Sequence, residues 1–233
     1  MAILVRTWNL FHGNATPPER RGYLRAMVEL VSADEPGIVC LQEVPLWALR
    51  HLEAWSGMRS FGAVAARPRA GAELGRWLTE LHHGLLRSAV TGQANAVLVA
   101  RQLDAREEGT LVISESGERR VCQAVRVGRL GVVGNFHATG GAYADEQCRR
   151  AVDFVAGADE QALVACDANL RPGEGRIYDH LQSLDFSAPL PDSIDQIVVR
   201  GIAATPPTAW PADRRRVGGR LLSDHAPVEL TVG

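Results

Sequence analysis

Short apolar runs rich in valine, leucine, isoleucine and alanine recur along this chain, and each ends in a small polar motif. A run of this length bounded by turn residues reads as a buried strand, because a buried helix needs more residues to bury a face. The motifs that end the runs are Thr7-Trp8-Asn9, Leu41-Gln42-Glu43, Asn135-Phe136-His137, Cys166-Asp167-Ala168-Asn169, Ser193-Ile194-Asp195 and Ser223-Asp224-His225. A chain built this way folds around sheets whose ends carry carboxylates, amides and imidazoles.

Helical spacing is rarer. Leu24, Met27, Val28 and Val31 form one apolar face after Thr16-Pro17-Pro18-Glu19, which reads as a helix start with a capping threonine and an early proline. A second helix is expected from Pro45 to about Trp55, and a third over Gln147 to Val155, with Cys148, Ala151, Val152 and Val155 on one side. Expected strands are Ala2 to Trp8, Ile38 to Leu41, Phe61 to Ala65, Asn95 to Val99, Thr110 to Ile113, Arg120 to Val127, Leu130 to His137, Ala162 to Cys166, Ile194 to Val199 and Val228 to Val232. The four from Asn95 to His137 look like an antiparallel meander. Gly57 to Gln93 otherwise reads as a loop and a short helix. Each half runs strand, helix, strand and then further strands, with no linker-like stretch, so one domain spanning residues 1–233 is expected.

At 233 residues the chain can bury a substantial core, and a net charge of −2 gives no global field toward nucleic acid or anionic membrane. All 25 basic residues are arginine, which an arginine-codon bias accounts for. Arginine nonetheless presents a planar fork suited to phosphate oxygens. Cys40, Cys122, Cys148 and Cys166 lie far apart, without zinc-type spacing or a disulfide pattern. No apolar run approaches the ~20 residues of a membrane span. A soluble, reduced, cytoplasmic protein is expected.

Glu43 at a strand end suits a hard cation such as Mg²⁺, although alone it reads equally as a solvated cap. Asp167 and Asn169, two apart, face one way if the strand extends that far. An aspartate can orient or deprotonate water and an amide can donate to a phosphoryl oxygen, while an Asx turn is the bland reading. His137 ends a strand where an imidazole reaches a phosphate, or simply faces solvent. Asp224-His225 stands in a polar break, with Asp195 available to orient the imidazole as a general base.

In this order the motifs resemble the endonuclease/exonuclease/phosphatase superfamily, the fold of pancreatic-type deoxyribonucleases, abasic-site endonucleases, inositol-polyphosphate 5-phosphatases and neutral sphingomyelinases. The resemblance runs from Asn9 to His225 and implies an α/β fold: a four-layered sandwich of two packed, mainly antiparallel β-sheets flanked by helices. It implies Glu43 as principal Mg²⁺ ligand (Mn²⁺ a substitute), with Asn9 and Asp224 beside the metal or its waters. Asp195 would pair with His225, the general base or phosphate-contacting imidazole. Asp167 would orient the attacking water, and Asn169 and His137 would stabilise charge on five-coordinate phosphorus. Asn95 occupies a strand start where family members place a polar residue. Cys166-Asp167-Ala168-Asn169 stands where the family often has Gly-Asp-Phe-Asn, Gln196 follows Asp195 where many members carry histidine or tyrosine, and the active-site tyrosine of the abasic-site enzymes is not identified.

The expected function is a Mg²⁺-dependent phosphohydrolase, foremost a nuclease-like phosphodiesterase acting on DNA or RNA. The alternative within the family is a small-molecule or lipid-headgroup phosphoesterase. Arg214, Arg215 and Arg216 are candidate substrate contacts, and Trp47, Trp55, Trp77 and Trp210 are candidate stacking platforms or ordinary packing residues. A non-catalytic binding module would have lost a metal carboxylate, the Asp–His pair or Asp167, and none is missing. A zinc hydrolase would need close His or Cys ligands, and adjacent His82-His83 diverge.

Overall fold

The apolar runs pair into two main sheets in the computed structural model, which describes residues 2–18, 22–67 and 92–233. In chain order the elements are β1 (Ile3–Asn9), β2 (Ala15–Thr16), α1 (Leu24–Val31), β3 (Ile38–Val44), a 3₁₀ turn (Leu46–His51) running into α2 (Leu52–Ser56), β4 (Arg59–Ala66), β5 (Gln93–Val99), β6 (Ala105–Val112), β7 (Val121–Val127) and β8 (Val132–His137). They continue with α3 (Ala144–Ala158), β9 (Ala162–Asp167), α4 (Ile177–Ser183), β10 (Asp195–Arg200), β11 (Thr208–Ala209), β12 (Arg216–Val217), β13 (Arg220–Leu222) and β14 (Val228–Val232). Sheet one runs β11-β14-β1-β3-β5-β4, sheet two runs β10-β9-β8-β7-β6, and β12-β13-β2 form a small third sheet. Two pairs are parallel, β1 with β3 and β8 with β9. Each is joined through a helix, α1 or α3, as a parallel crossover requires.

Strand alternation sorts the side chains into layers. Val5, Ile38, Cys40, Val97 and Val99 of sheet one meet Val125, Val133, Leu163 and Ile197 of sheet two in the central core. On the outer face of sheet one, Trp8, Val39 and Leu41 pack under Leu24, Met27 and Val28 of α1. On that of sheet two, Phe136, Val164 and Cys166 pack under Cys148, Ala151 and Val155 of α3. The result is the four-layered α/β sandwich. Gly134 sets the approach of α3, because a Cβ there would stand 2.3 Å from Val155 Cγ2.

Three expectations are corrected. The helix expected to start beyond Thr16 starts at Leu24, and Thr16 instead pairs with Leu221 in the third sheet. No side chain caps α1. A cap contributes about 0.5–2 kcal/mol, whereas burying each of Leu24, Met27, Val28 and Val31 contributes roughly 1.5–3 kcal/mol, so the apolar face decides where the helix sits. The meander holds for β6-β7-β8, but the strand of Asn95 to Val99 belongs to sheet one, between β3 and β4. The helix α4, with only Ile177 and Leu181 on its buried side, and the short strands β2, β11, β12 and β13 were not expected. Much of the stretch read as loop and short helix, with Trp77 and His82-His83, lies outside the described residues.

All four cysteines are buried free thiols. No described helix is long and apolar enough to cross a membrane.

Candidate active site

The central core ends in polar residues at one edge of the sandwich. Val5, Thr7 and Asn9 lie on one row of β1, Val133, Asn135 and His137 on one row of β8, and Leu163, Ala165 and Asp167 on one row of β9. Asp195 opens the row that Ile197 and Val199 continue on β10. The period of two therefore carries Asn9, His137, Asp167 and Asp195 onto the core side without any special geometry. Register then brings them together: Asp167 stands opposite Asp195 on one side and His137 on the other. Beneath them a buried amide network ties the sheets. Gln42 Nε2 donates to Thr7 Oγ1 (2.9 Å) and to Asn135 Oδ1 (2.8 Å), and Asn135 Nδ2 donates to the carbonyls of Leu41 (3.1 Å) and Ala96 (3.0 Å).

Glu43 reaches the same edge by a different device. Val39 and Leu41 face outward, so plain alternation would send Glu43 outward too. Between Leu41 and Val44 the pairing with β5 slips, and Glu43 takes φ +51°. This bulge turns the carboxylate toward the core edge, a use of bulges that recurs beside active sites. Asn9 Nδ2 donates to Asp167 Oδ2 (2.8 Å) and to Glu43 Oε1 (3.3 Å), while Asn9 Oδ1 accepts from the Phe11 N–H (2.9 Å). His12 Nε2 lies 3.3 Å from Glu43 Oε2.

The turn Ser223-Asp224-His225 closes the site and is held from several sides. Ser223, at φ +58°, donates through Oγ to Asn9 O (2.7 Å) and accepts from His225 N–H (3.1 Å). The Trp8 indole donates to His225 O (3.0 Å). Arg215 Nη1 donates to the carbonyls of Leu222 (2.9 Å), Ser223 (2.8 Å) and His225 (3.1 Å). His225 Nδ1 then meets Asp195 Oδ2 at 2.9 Å, and His225 Nε2 faces Asp167 Oδ2 at 3.8 Å and Asp224 Oδ1 at 3.9 Å. Asn169, at φ +50°, donates through its backbone N–H to Asp167 Oδ1 (3.0 Å) and through Nδ2 to Ala138 O (2.8 Å).

Burial and charge set the protonation states. Burial, then the neighbouring Asp195 charge, push the Asp167 carboxyl up to about 7. Burial also raises Asp195 and Glu43, against the pull of His225 on the first and of the Asn9 amide on the second. Burial alone would lower His225, but the bond and charge of Asp195, with Asp167 and Asp224 beyond, push it up to about 10. Burial and the Arg120 guanidinium hold His137 well below the ordinary histidine value. Near neutral pH the site therefore holds an imidazolium at His225, a neutral imidazole at His137 and a half-titrated carboxyl at Asp167.

Asn9, Glu43, His137, Asp167, Asn169, Asp195, Asp224 and His225 thus converge, as their strand-end positions implied. Asn95 does not join them; it is buried and donates to Val121 O (2.9 Å), tying β5 to sheet two. Arg214 stays on the outer face of sheet one, paired with Glu229 (2.6 Å) and Asp34 (3.2 Å) and lying 3.7 Å over the Trp210 ring. Arg215 is the clamp just described, and Arg216 is half-exposed, beside Asp213 at 3.6 Å. Trp210 is buried between Arg6 and Arg214, and Trp47 and Trp55 pack edge-on beside the outer core of sheet one. Three site residues escaped the sequence reading: His12, Gln93 and Arg120. Gln93 opens β5 and Arg120 immediately precedes β7, and antiparallel pairing puts such strand starts beside the ends of their neighbours.

Among the described residues Asp167, Asp195 and His225 each bring a ligand-type atom within 4.8 Å of one another. His225 Nδ1 in that group already serves Asp195. The donor set as a whole fits a hard divalent cation, because Glu43, Asp167, Asp195 and Asp224 converge against one imidazolium, and Asp224 is close enough to raise Glu43.

The model of the Endonuclease/Exonuclease/phosphatase family matches residues 7–226. Among solved structures, a conserved protein of unknown function from Enterococcus faecalis is similar over 99% of this chain and 99% of its own, with TM-score 0.70 and 15% identity. An endonuclease/exonuclease/phosphatase family protein from Bacteroides thetaiotaomicron is similar over 100% and 97%, with TM-score 0.69 and 16% identity. The human Nocturnin catalytic domain, solved with bound sulfate, is similar over 100% and 93%, with TM-score 0.67 and 14% identity. No curated protein matches by sequence.

Proposed function

This chain belongs to the endonuclease/exonuclease/phosphatase family, and from that premise we propose that it is a Mg²⁺-dependent phosphodiesterase that cleaves a P–O bond by in-line attack of water. The observation that carries this reading is the meeting of Asp167 with the Asp195–His225 pair at 3.8 Å, on the edge that also holds Glu43.

Asp167, whose carboxyl titrates near neutral pH, accepts the proton of the attacking water as its oxygen adds to phosphorus and the opposite P–O bond breaks, the leaving oxygen taking a proton from solvent. His225, an imidazolium fixed by Asp195, donates to a phosphoryl oxygen, so of its two expected roles the charge that Asp195 holds on it supports phosphate contact over general base. His137 and the free N–H of the Asn169 amide add hydrogen bonds to the growing charge. Preorganised donors of this kind supply the largest share of such catalysis. Glu43 and Asp224 would hold the metal, with Asn9 steering Glu43 as a donor, since its oxygen is already committed to Phe11. When bound, the cation supplies charge neutralisation at the phosphoryl group.

Nicking of supercoiled plasmid with Mg²⁺ tests the nuclease form, compared with chelator and with His225→Ala. Metal-dependent nicking that is lost in the variant supports it. A folded protein that does not nick DNA points to the second reading, a small-molecule or lipid phosphoester. The arginine loop favours that second reading, because Arg214 and Arg215 spend their guanidinium groups on the protein itself. Inactivity on both substrate classes would sink the hydrolase reading.

A further inference from the structure

Beside the site, exposed cationic charge stands at two positions that the motifs did not single out. Arg120 is turned inward, 8% exposed, with Nη1 2.8 Å from His137 Nδ1, and the Gln93 amide lies 3.0 Å from the same ring nitrogen. Their neighbours turn outward. Arg119 immediately precedes Arg120 and is exposed, and Arg67 is exposed one step beyond Ala66, the partner of Gln93 in the pairing of β4 with β5. Both belong to an open hollow of about 530 Å³, lined among the described residues by Val64, Ala65, Ala66, Arg67 and Arg119. Arg119 is already fixed there. Its Nη1 donates across the gap between the sheets to the carbonyls of Val64 (2.7 Å) and Ala65 (3.0 Å), which occupies one nitrogen of the fork and leaves two. Among the described residues no acid pairs with it. The turn from β6 to β7 holds two, and Glu118 is spent on Arg120 (2.9 Å) and Glu115 on Arg150 (2.8 Å).

A guanidinium held in place with donors to spare, a second one on the same lining, and no carboxylate among the described lining residues suit an anion. The planar fork matches phosphate oxygens in particular. The hollow starts one residue from the groups that touch His137, near enough for one bound molecule to bridge the two places. We propose that it is a second phosphate subsite: the substrate carries, besides the phosphoester that is cleaved, another phosphate that Arg119 and Arg67 bind. The next phosphate along a nucleic-acid strand and the second phosphate of a small bisphosphorylated ester share that chemistry. The link to turnover rests on the hydrolase reading; capture of the phosphate does not.

The test is calorimetric titration of the whole protein, with Mg²⁺, by thymidine 3′,5′-bisphosphate and by thymidine 5′-phosphate, neither of which holds a diester bond to cleave. The bisphosphate is expected to bind about tenfold more tightly. Arg119→Met and Arg67→Met should each bring that ratio toward one, and Arg67, exposed past the end of β4, puts no packing at risk. Arg129→Met removes the same charge beyond the opposite ends of β7 and β8 and should leave the ratio as it was. Equal affinity for the two nucleotides in the wild type overturns the proposal without any variant having to fold. A preference that survives in both folded variants also overturns it, and so does an equal fall in Arg129→Met, which would make the effect one of bulk charge. The p-nitrophenyl 5′-esters of the same two nucleotides carry the test to turnover, where the 3′-phosphate should raise kcat/KM about tenfold through KM. A protein that prefers the bisphosphate but cleaves neither ester overturns the hydrolase reading and leaves the subsite standing. Tetrathymidylate that binds more tightly than the bisphosphate assigns the second phosphate to a strand, and equal or weaker binding assigns it to a small molecule.

Discussion

Asp167 shows how much of this site is set by where one carboxylate is put. It is buried, bonded by the Asn9 amide and the Asn169 N–H, and faced by Asp195 across the ladder. Its carboxyl, pushed up to about 7, lies where a base for water works best near neutral pH. If it must be ionised, kcat rises as pH increases through about 7, and it stays high until the His225 imidazolium is lost near 10. Asp167→Asn should abolish the lower limb of that profile and cost about two to four orders of magnitude in kcat, with the circular dichroism spectrum unchanged. A variant that kept the limb would assign the titration to another group. Glu43→Gln keeps the shape and removes the charge, so it should weaken Mg²⁺ binding by calorimetry and lower activity together.

At the scale of elements, two local deviations decide which side chains arrive. The bulge in β3 turns Glu43 off the outer row, and the clamped Ser223-Asp224-His225 turn delivers His225 to Asp195. Arg215 is the main strap on that turn, so Arg215→Met takes its donor from the Leu222 and Ser223 carbonyls and leaves His225 O with the Trp8 indole alone. The expected cost is about 1–3 kcal/mol in urea unfolding, together with a fall in kcat, because His225 is no longer fixed. Loss of substrate affinity alone would instead return Arg215 to the substrate. Asn135→Leu tests the amide network under the site. It should destabilise by a similar ~1–3 kcal/mol, since the buried Gln42 amide loses its acceptor and the Leu41 and Ala96 carbonyls lose the donor that ties them to sheet two. A neutral result would mean that apolar packing replaces the network.

For the molecule as a whole, the site is an accumulation of buried negative charge that the proposed cation would relieve. Asp167 carries a folded-state value above its free one, so what it contributes to stability is full below about 3.8 and is lost as pH rises through about 7. His225 is also raised, from 6.5 to about 10, so its contribution is full below 6.5 and lost as pH passes about 10. On the proposed function, proton and Mg²⁺ would therefore compete in the carboxylate cluster. Mg²⁺ at about a hundred times its Kd should raise Tm by about 5–10 °C in a chain this size. The gain should be larger near pH 8 than near pH 6 and should be lost in Glu43→Gln. A Tm indifferent to Mg²⁺ at both pH values would remove the metal from this reading.

The strand-end motifs made much of the site legible, and the physical reason is the period of two. Once a run is known to bury one face, Asn9, His137, Asp167 and Asp195 follow on the core side by counting. The four layers follow as well, because buried strands and one-sided helices have few other ways to cover their apolar faces. The start of α1 was misread because a capping pattern contributes less than a buried face. Asn95 was misread because sequence does not say which sheet a strand joins, and its amide lies where β5 faces sheet two. Arg214 and Arg215 looked like phosphate ligands because charge alone does not reveal a partner; Glu229, Asp34 and three turn carbonyls are those partners. Which strands lie side by side, the turning of Glu43, the grip of Arg120 on His137 and the protonation of each site residue were decided only by the tertiary structure. Each depends on contacts between residues far apart in the chain, and on how deeply those contacts are buried.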